Sequence, residues 1–371
     1  MSTTKTKTRV ALVYGGRSSE HAVSCATAAG VLAAIDKDRF EVVPIGIAKD
    51  GRWVLGGGDL AALALAPGHV PEVDGDGDVR MPLSTRDRSV VDVAAGGAAA
   101  ALGEVDVVFP VLHGPFGEDG TIQGMLELAD IPYVGCGVLS SATMMDKHYM
   151  KGVLSSHRLP IGPFVTLTDR QWATDPEAAI RAASELRFPL FVKPARAGSS
   201  VGISRVERPE DLRAAIEVAR EHDPKVVIEQ GIVGREIECG VLQGRGHEPP
   251  RTSLLGEIVV ETGHTFYDFE AKYLAENDVV LSCPADLPAG DADRIRAMAA
   301  EAFEAAGCEG LARVDFFYTE NGEIILNEIN TMPGFTPHSM YPQMWLATGM
   351  SYPELITELV DLALERRVGL R

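Results

Sequence analysis

Arg313, Asp315, Glu328 and Asn330 fall within one short stretch, ARVDFFYTENGEIILNEIN (312–330). Two apolar-rich runs, Leu311 to Tyr318 and Glu323 to Ile329, flank Asn321-Gly322, a dipeptide that tolerates positive φ and favours a two-residue hairpin turn. With that turn Glu320 opposes Glu323, so Asp315 falls opposite Glu328 and Arg313 opposite Asn330. Side chains two apart share a strand face, and opposed Cβ atoms lie about 5 Å apart, so the four groups converge. Opposed carboxylates repel. A hard cation such as Mg²⁺ relieves the repulsion, because it takes oxygen ligands from one or two carboxylates and keeps its other positions for water and phosphate. A different turn would slip the pairing by one residue and send these side chains to opposite faces.

Other segments carry groups suited to phosphate. The loop ARAGSSVG (195–202) offers backbone N–H groups and two hydroxyls between two strands, although it lacks the G-x-x-x-x-G-K-[ST] pattern of a P-loop. Lys193, just before that loop, and Lys147, on an earlier helix, could supply positive charge. HGPFGEDG (113–120) is a glycine-rich turn at a strand end that begins with His113. HTFYDFEAKY (264–273) mixes aromatic and charged residues in a long loop, as an active-site lid would. GGRSSEH (15–21) follows the first strand but lacks the G-x-G-x-x-G spacing of a dinucleotide fingerprint, which counts against a dehydrogenase.

The elements that must position these groups are legible in outline. VALVYGG, a helix over SSEHAVSCATAAGVLAAI and the strand FEVVPIGI predict an α/β domain with a parallel sheet, resumed at VDVVFPVLHG. Residues 51–103, rich in Gly, Ala and Asp, form an insertion without clear periodicity and are assigned no chemistry. Glycines near 135–141 mark a boundary. A central unit follows with the helix DKHYMKGVLSSHRL, the strand–loop–strand PLFVKPARAGSSVGISRV, the helix PEDLRAAIEVAREH and the strand KVVIEQGI. The rest is a unit of mainly antiparallel strands closed by a helix from about Pro353.

A chain of 371 residues is long enough for two or three domains. Its formal charge of -19 disfavours nucleic acid and anionic membranes as partners, since both need a basic footprint. The five cysteines, odd in number and widely spaced without C-x-x-C, argue against a disulfide framework or a structural zinc site and point to a reducing compartment. No signal core or run of about 20 apolar residues is present, so a cytoplasmic location is expected.

Taken together, GGRSSEH, HGPFGEDGTIQGMLE, MDK, FVKPARAGSSVG, FYDFEAKY, ARVDFF and NEINTMPGFTPHS resemble, in this order, the D-alanine-D-alanine ligases of the ATP-grasp superfamily. The resemblance covers nearly the whole chain outside 51–103. It implies a three-domain ATP-grasp fold of α/β and α+β character: an N-terminal parallel α/β domain (1–137), a central subdomain (138–230) and a C-terminal subdomain (231–371) with lid and metal site. ATP would lie between the last two. The implied reaction joins two D-alanines through an acyl phosphate, to supply peptidoglycan precursor.

The resemblance also implies roles. Asp315, Glu328 and Asn330 resemble ligands of two Mg²⁺ ions, for which Mn²⁺ can substitute, and Lys147, Lys193 and Lys272 resemble the lysines that neutralise phosphates. Ser200 sits in the phosphate loop, and Glu229 and Glu236 resemble nucleoside-binding residues. Glu20 would hold the first D-alanine's ammonium, linked through Ser199 to Tyr273. Arg313 and the Gly334 backbone would stabilise the oxyanion; Ser339 and Met340 would meet the second D-alanine, and His113 would lie near the first subsite. Ala22 stands where many members carry an acidic residue. A homodimer is suggested by family likeness alone.

Rival readings are a ligase that takes D-lactate second, another ATP-grasp carboxylate-amine ligase, and an ATP-binding regulator without turnover. D-Lactate-accepting relatives lack the lid tyrosine, so Tyr273 favours the dipeptide. A regulator has no need of the oxyanion donor Arg313.

Overall fold

The computed structural model of the chain describes residues 7–57, 60–65, 68–75, 77–82, 84–86, 88–93, 99–198, 201–260 and 279–366. Ser199, Ser200, Lys272 and Tyr273 lie outside the described residues.

The apolar run of strand β1 (Thr8–Gly15) is fully buried from Val10 to Val13, as a central strand covered on both faces requires. It pairs in parallel with β2 (Phe40–Ile47) on one side and β7 (Val107–Pro110) on the other, with the helix His21–Ala34 as crossover between β1 and β2. The predicted parallel sheet is therefore present, with one antiparallel edge strand, β3 (Trp53–Leu55), contributed by the insertion. The insertion also folds a short helix Leu60–Leu63 and a separate sheet of β4 (Val79–Arg80), β5 (Ser89–Val93) and β6 (Ala99–Glu104).

A second sheet has the order β10-β9-β11-β8, from β8 (Phe164–Leu167), β9 (Leu190–Pro194), β10 (Ser204–Val206) and β11 (Val226–Gln230). The helix Leu212–Arg220 buries Leu212, Ala215, Ile216 and Ala219 with Val192, Val206 and Ile228, and this core shares no residue with the others. The third sheet is antiparallel, β14-β13-β12-β15-β16, built from β12 (Arg235–Leu242), β13 (Arg251–Val260), β14 (Val279–Ser282), β15 (Leu311–Tyr318) and β16 (Ile324–Asn330). Its core includes Met150 and Leu154 of the helix Lys147–Ser156. The alanine-rich helix Ala289–Ala305 covers it through Ile295, Ala299, Ala302 and Phe303. A further core joins β1 and the helix His21–Ala34 to Phe335, Tyr341 and Trp345 and to the last helix, Tyr352–Glu365.

The β15–β16 hairpin corrects the expected turn. Thr319 pairs with Glu323, its N–H donating to the Glu323 carbonyl at 3.0 Å, and Gly322 N–H donates to the Thr319 carbonyl at 2.9 Å. The loop is thus the three residues Glu320, Asn321 and Gly322, with Gly322 in the left-handed region at φ 77°, a conformation that glycine adopts without strain. Alone, the longer turn would shift the register by one residue. A β-bulge restores it: beyond Phe316↔Leu326 the next pair is Asp315↔Glu328, which leaves Asn327 as the extra residue. Asp315 therefore faces Glu328, and Arg313 faces Asn330, by two departures that cancel.

Candidate functional site

Every sequence-predicted site residue within the described residues lines one cavity of about 840 Å³ between the second and third sheets. Glu20 and His113 enter from the first unit, Lys147 from the helix Lys147–Ser156, and Lys193 and Glu229 from β9 and β11. Glu236 lies on β12, Arg313 and Asp315 on β15, and Glu328 and Asn330 on β16, with Gly334, Ser339 and Met340 following.

On the β15–β16 face, Arg313 donates through Nε and Nη2 to the two oxygens of Asp315, each at 2.7 Å, and Asn330 Nδ2 donates to Asp315 at 2.8 Å. Glu238, opposite Asp315 on β12, lies 3.2 Å from Arg313 Nε. Burial opposes the Arg313 charge, but Asp315 and Glu238 outweigh it and hold its pKa well above the usual value. Lys147 Nζ is 3.6 Å from Glu328. Asp315, Glu328 and the amide of Asn330 present hard oxygen donors on one open face, a set that fits Mg²⁺. Asp315 shares its oxygens with Arg313, so an ion there would use the lone pairs that the guanidinium leaves.

Lys147 is the first residue of its helix, capped by Asp146, whose side chain accepts from the His148 and Tyr149 amides. Its N–H donates to the Ala195 carbonyl at 2.9 Å and its Nζ to the Ala197 carbonyl at 3.2 Å, which ties this helix end to the glycine-serine loop. At the described end of that loop, a Cβ on Gly198 would lie 2.8 Å from Glu20 Oε2, so a larger residue there would displace the Glu20 carboxylate.

Glu229, expected beside the nucleoside, has one oxygen 2.7 Å from Lys193 and the other 3.0 Å from Lys151. Burial pushes its carboxyl up, yet the two lysines outweigh burial and hold it at about 2. Lys151 is not among the sequence-predicted residues. Its spacing from Lys147 is the available signal, since residues four apart share a helix face. Ser339 precedes the helix Met340–Thr348, and its Oγ accepts from the Thr336 N–H at 3.1 Å.

Comparison with known proteins matches residues 153–361 to the family described as D-ala D-ala ligase C-terminus and residues 9–136 to D-ala D-ala ligase N-terminus. The D-alanine–D-alanine ligase of Arthrobacter sp. (strain FB24) is 60% identical, covering 98% of this chain and 96% of its own length. The chain belongs to the D-alanine–D-alanine ligase family. The D-alanine–D-alanine ligase of Pseudarthrobacter chlorophenolicus is 61% identical with the same coverage, 98% and 96%. Among solved structures, the VanG D-Ala:D-Ser ligase of Enterococcus faecalis is 36% identical with a TM-score of 0.82, covering 96% of this chain and 100% of that one. The D-alanine–D-alanine ligase of Coxiella burnetii is 32% identical with a TM-score of 0.79, covering 97% and 94%. These neighbours establish the multidomain ATP-grasp fold for this family member.

Two further carboxylates of this D-alanine–D-alanine ligase family chain, Glu118 and Glu238, reach the cavity from positions with weak sequence signals. Glu238 lies two residues after Glu236, and strand alternation puts both on one face. Glu118 belongs to the HGPFGEDG turn, where the glycines are the stronger signal. The insertion also contributes. Ala64 and Leu65 line the cavity, and the Val73 N–H donates to His21 Nε2 at 3.0 Å, so 51–103 reaches the site more closely than its sequence indicates.

Proposed function

We propose that the chain joins two D-alanine molecules into D-alanyl-D-alanine at this cavity, with conversion of ATP to ADP and phosphate. The observation that carries this reading is the meeting, in one cavity, of the Glu20 carboxylate, the Arg313 guanidinium and a hard-oxygen set (Asp315, Glu328, Asn330) flanked by lysines. Its sequence identity of about 60% to enzymes named D-alanine–D-alanine ligase supports the same substrate pair.

A carboxylate is a poor acyl donor until one of its oxygens leaves as phosphate. One carboxylate oxygen of the first D-alanine attacks the γ-phosphorus, and the bond to the β,γ-bridging oxygen breaks, releasing ADP. The amine of the second D-alanine then adds to the acyl carbon. The tetrahedral intermediate expels phosphate, which takes up the proton lost by the amine. Mg²⁺ held by Asp315, Glu328 and Asn330, two ions replaceable by Mn²⁺, would supply charge neutralisation at the phosphates.

Glu20 orients the first ammonium, backed by Ser199 and Tyr273. Arg313 and the Gly334 N–H stabilise the oxyanion. Lys147, Lys193 and Lys272, with Ser200, neutralise phosphate, while Glu229 and Glu236 mark the nucleoside end and Glu229 also fixes Lys193 and Lys151. Ser339 and the amide end of the helix from Met340 suit the second D-alanine's carboxylate, because a helix N-terminus favours an anion. His113 stands behind the first subsite. The units 1–137, 138–230 and 231–371 close on the cavity, and the site works in the cytoplasm, where free thiols such as these five cysteines persist.

The test is phosphate release from Mg²⁺-ATP with D-alanine, L-alanine, or D-alanine plus D-lactate, with products identified by mass. D-Alanine-dependent release with dipeptide as the main product is expected. ATP binding without stimulation by D-alanine would overturn the reading.

A further inference from the structure

The geometry points to His113 and Glu118 as positioning residues that clamp Met332 and thereby fix the Gly334 amide. His113 Nδ1 lies 3.1 Å from the Met332 carbonyl oxygen. A carbonyl only accepts, so Nδ1 carries the proton, and Nε2 is left to accept from the Thr27 hydroxyl at 3.2 Å. The Met332 N–H in turn donates to Glu118 Oε1 at 3.0 Å. Both main-chain polar groups of Met332 are thus held by side chains from a single turn more than 200 positions away in the chain, the His113 bond alone spanning 219.

The link from this clamp to Gly334 is short and stiff. Pro333 lies between them, and its ring fixes φ. With peptide bonds planar, ψ of Pro333 is the one soft torsion between the Met332 carbonyl and the Gly334 nitrogen. On its other side the clamp is tied to Glu20. Gly114 N–H donates to Glu118 Oε2 at 2.7 Å, Ser18 Oγ donates to the His113 carbonyl at 2.7 Å, and the Glu20 N–H donates to the same Ser18 Oγ at 3.2 Å. A continuous set of hydrogen bonds therefore sets the distance between the carboxylate for the first ammonium and the amide for the oxyanion. With Nδ1–H directed at a carbonyl, His113 acts here through Met332 rather than on the substrate.

This inference rests on the ligation reading above, and the experiment separates the two. Steady-state kinetics, ATP binding and thermal unfolding would be measured for the wild type, His113→Ala, Glu118→Ala, the double variant, and the conservative His113→Asn and Glu118→Gln. A wild type without D-alanine-dependent turnover would overturn the ligation reading and this inference with it. With an active wild type, each alanine variant is expected to lose about 10²-fold in kcat, the scale of an ångström of misplacement, with ATP affinity within about twofold. The double variant should be about as slow as the worse single one, because both act on one residue. Asn, which keeps a donor at the Nδ1 position, and Gln, which keeps one acceptor, should recover most of the loss. Alanine variants within about threefold of wild type in kcat, additive losses in the double variant, or losses confined to ATP affinity would overturn the clamp.

Discussion

Glu328 and Asp315 sit on the same sheet face but bear unequally on the fold. Glu328 is 31% exposed with Lys147 at 3.6 Å, whereas Asp315 is 13% exposed and holds Arg313 through two bonds of 2.7 Å. Glu328→Gln should therefore lower kcat by about 10²–10³-fold and raise the Mg²⁺ concentration for half-maximal rate, with the unfolding midpoint nearly unchanged. Asp315→Ala should be equally inactive but also less stable, by about 3 kcal/mol in urea unfolding, because it strands part of a buried ion pair. Glu118 carries a pH signature. Burial first, and then the charge of Glu20, push its carboxyl up to about 8, against the Gly114 and Met332 amides that pull it down. A carboxyl raised on folding stabilises fully below its unfolded value near 4.5, and that contribution is lost as pH rises through about 8. Unfolding free energy should fall across that window in the wild type more steeply than in Glu118→Gln, and parallel pH profiles would refute the assignment. That Asp315, Glu328 and Asn330 meet on one sheet face was legible in the sequence. The pKa of Glu118 was not, since it arises from neighbours that only folding assembles.

The β15–β16 hairpin separates what a turn does from what a bulge does. Gly322 sits at φ 77° with only the Tyr318 hydroxyl, 3.8 Å away, near the place of a Cβ. Gly322→Ala should cost about 1 kcal/mol of stability through backbone strain and leave kcat unchanged, because the loop lies at the far end of the hairpin from Asp315. Deleting Asn327 removes the bulge residue between the Phe316↔Leu326 and Asp315↔Glu328 pairs. Leu326 and Glu328 would then be consecutive and still oppose Phe316 and Asp315, so the carboxylate keeps its face but the strand loses the bulge's bend, and activity should fall without vanishing in the same phosphate-release assay. The pairing of Asp315 with Glu328 was anticipated from strand alternation, but by way of a turn one residue too short. Local propensity favours Asn-Gly as the loop, while the register is decided by how β15 and β16 pack their apolar faces on the core. The helices Ala289–Ala305 and Met340–Thr348 were not resolved in the sequence outline, since alanine repeats and a mostly buried helix both weaken the amphipathic signal.

At the scale of the molecule, the second sheet keeps a core of its own, while the first and third units share one that runs from Leu12 through Phe335 to Leu359. The helix Lys147–Ser156 packs with the third sheet although its first residue is tied to the loop of the second. Movement of the second sheet relative to the others would thus break no shared apolar core among the described residues. Amide exchange over 164–230 should slow when a non-hydrolysable ATP analogue binds with Mg²⁺, with little change in β1 or β7; uniform protection would contradict a separately moving sheet. The net charge of -19 gives no hint of a polyanion site, yet Lys147, Lys151 and Lys193 gather in one cavity. Sequence by itself determined the family, the parallel first sheet and the candidate residues that line the cavity, because motif order, apolar runs and alternation are local properties. The tertiary structure alone decided that Lys151 and Lys193 share Glu229, that Glu238 backs Arg313, and that His113 and Glu118 hold Met332. Hydrogen bonds and ion pairs between residues so far apart in the chain depend on packing of whole units, and no spacing along the chain records them.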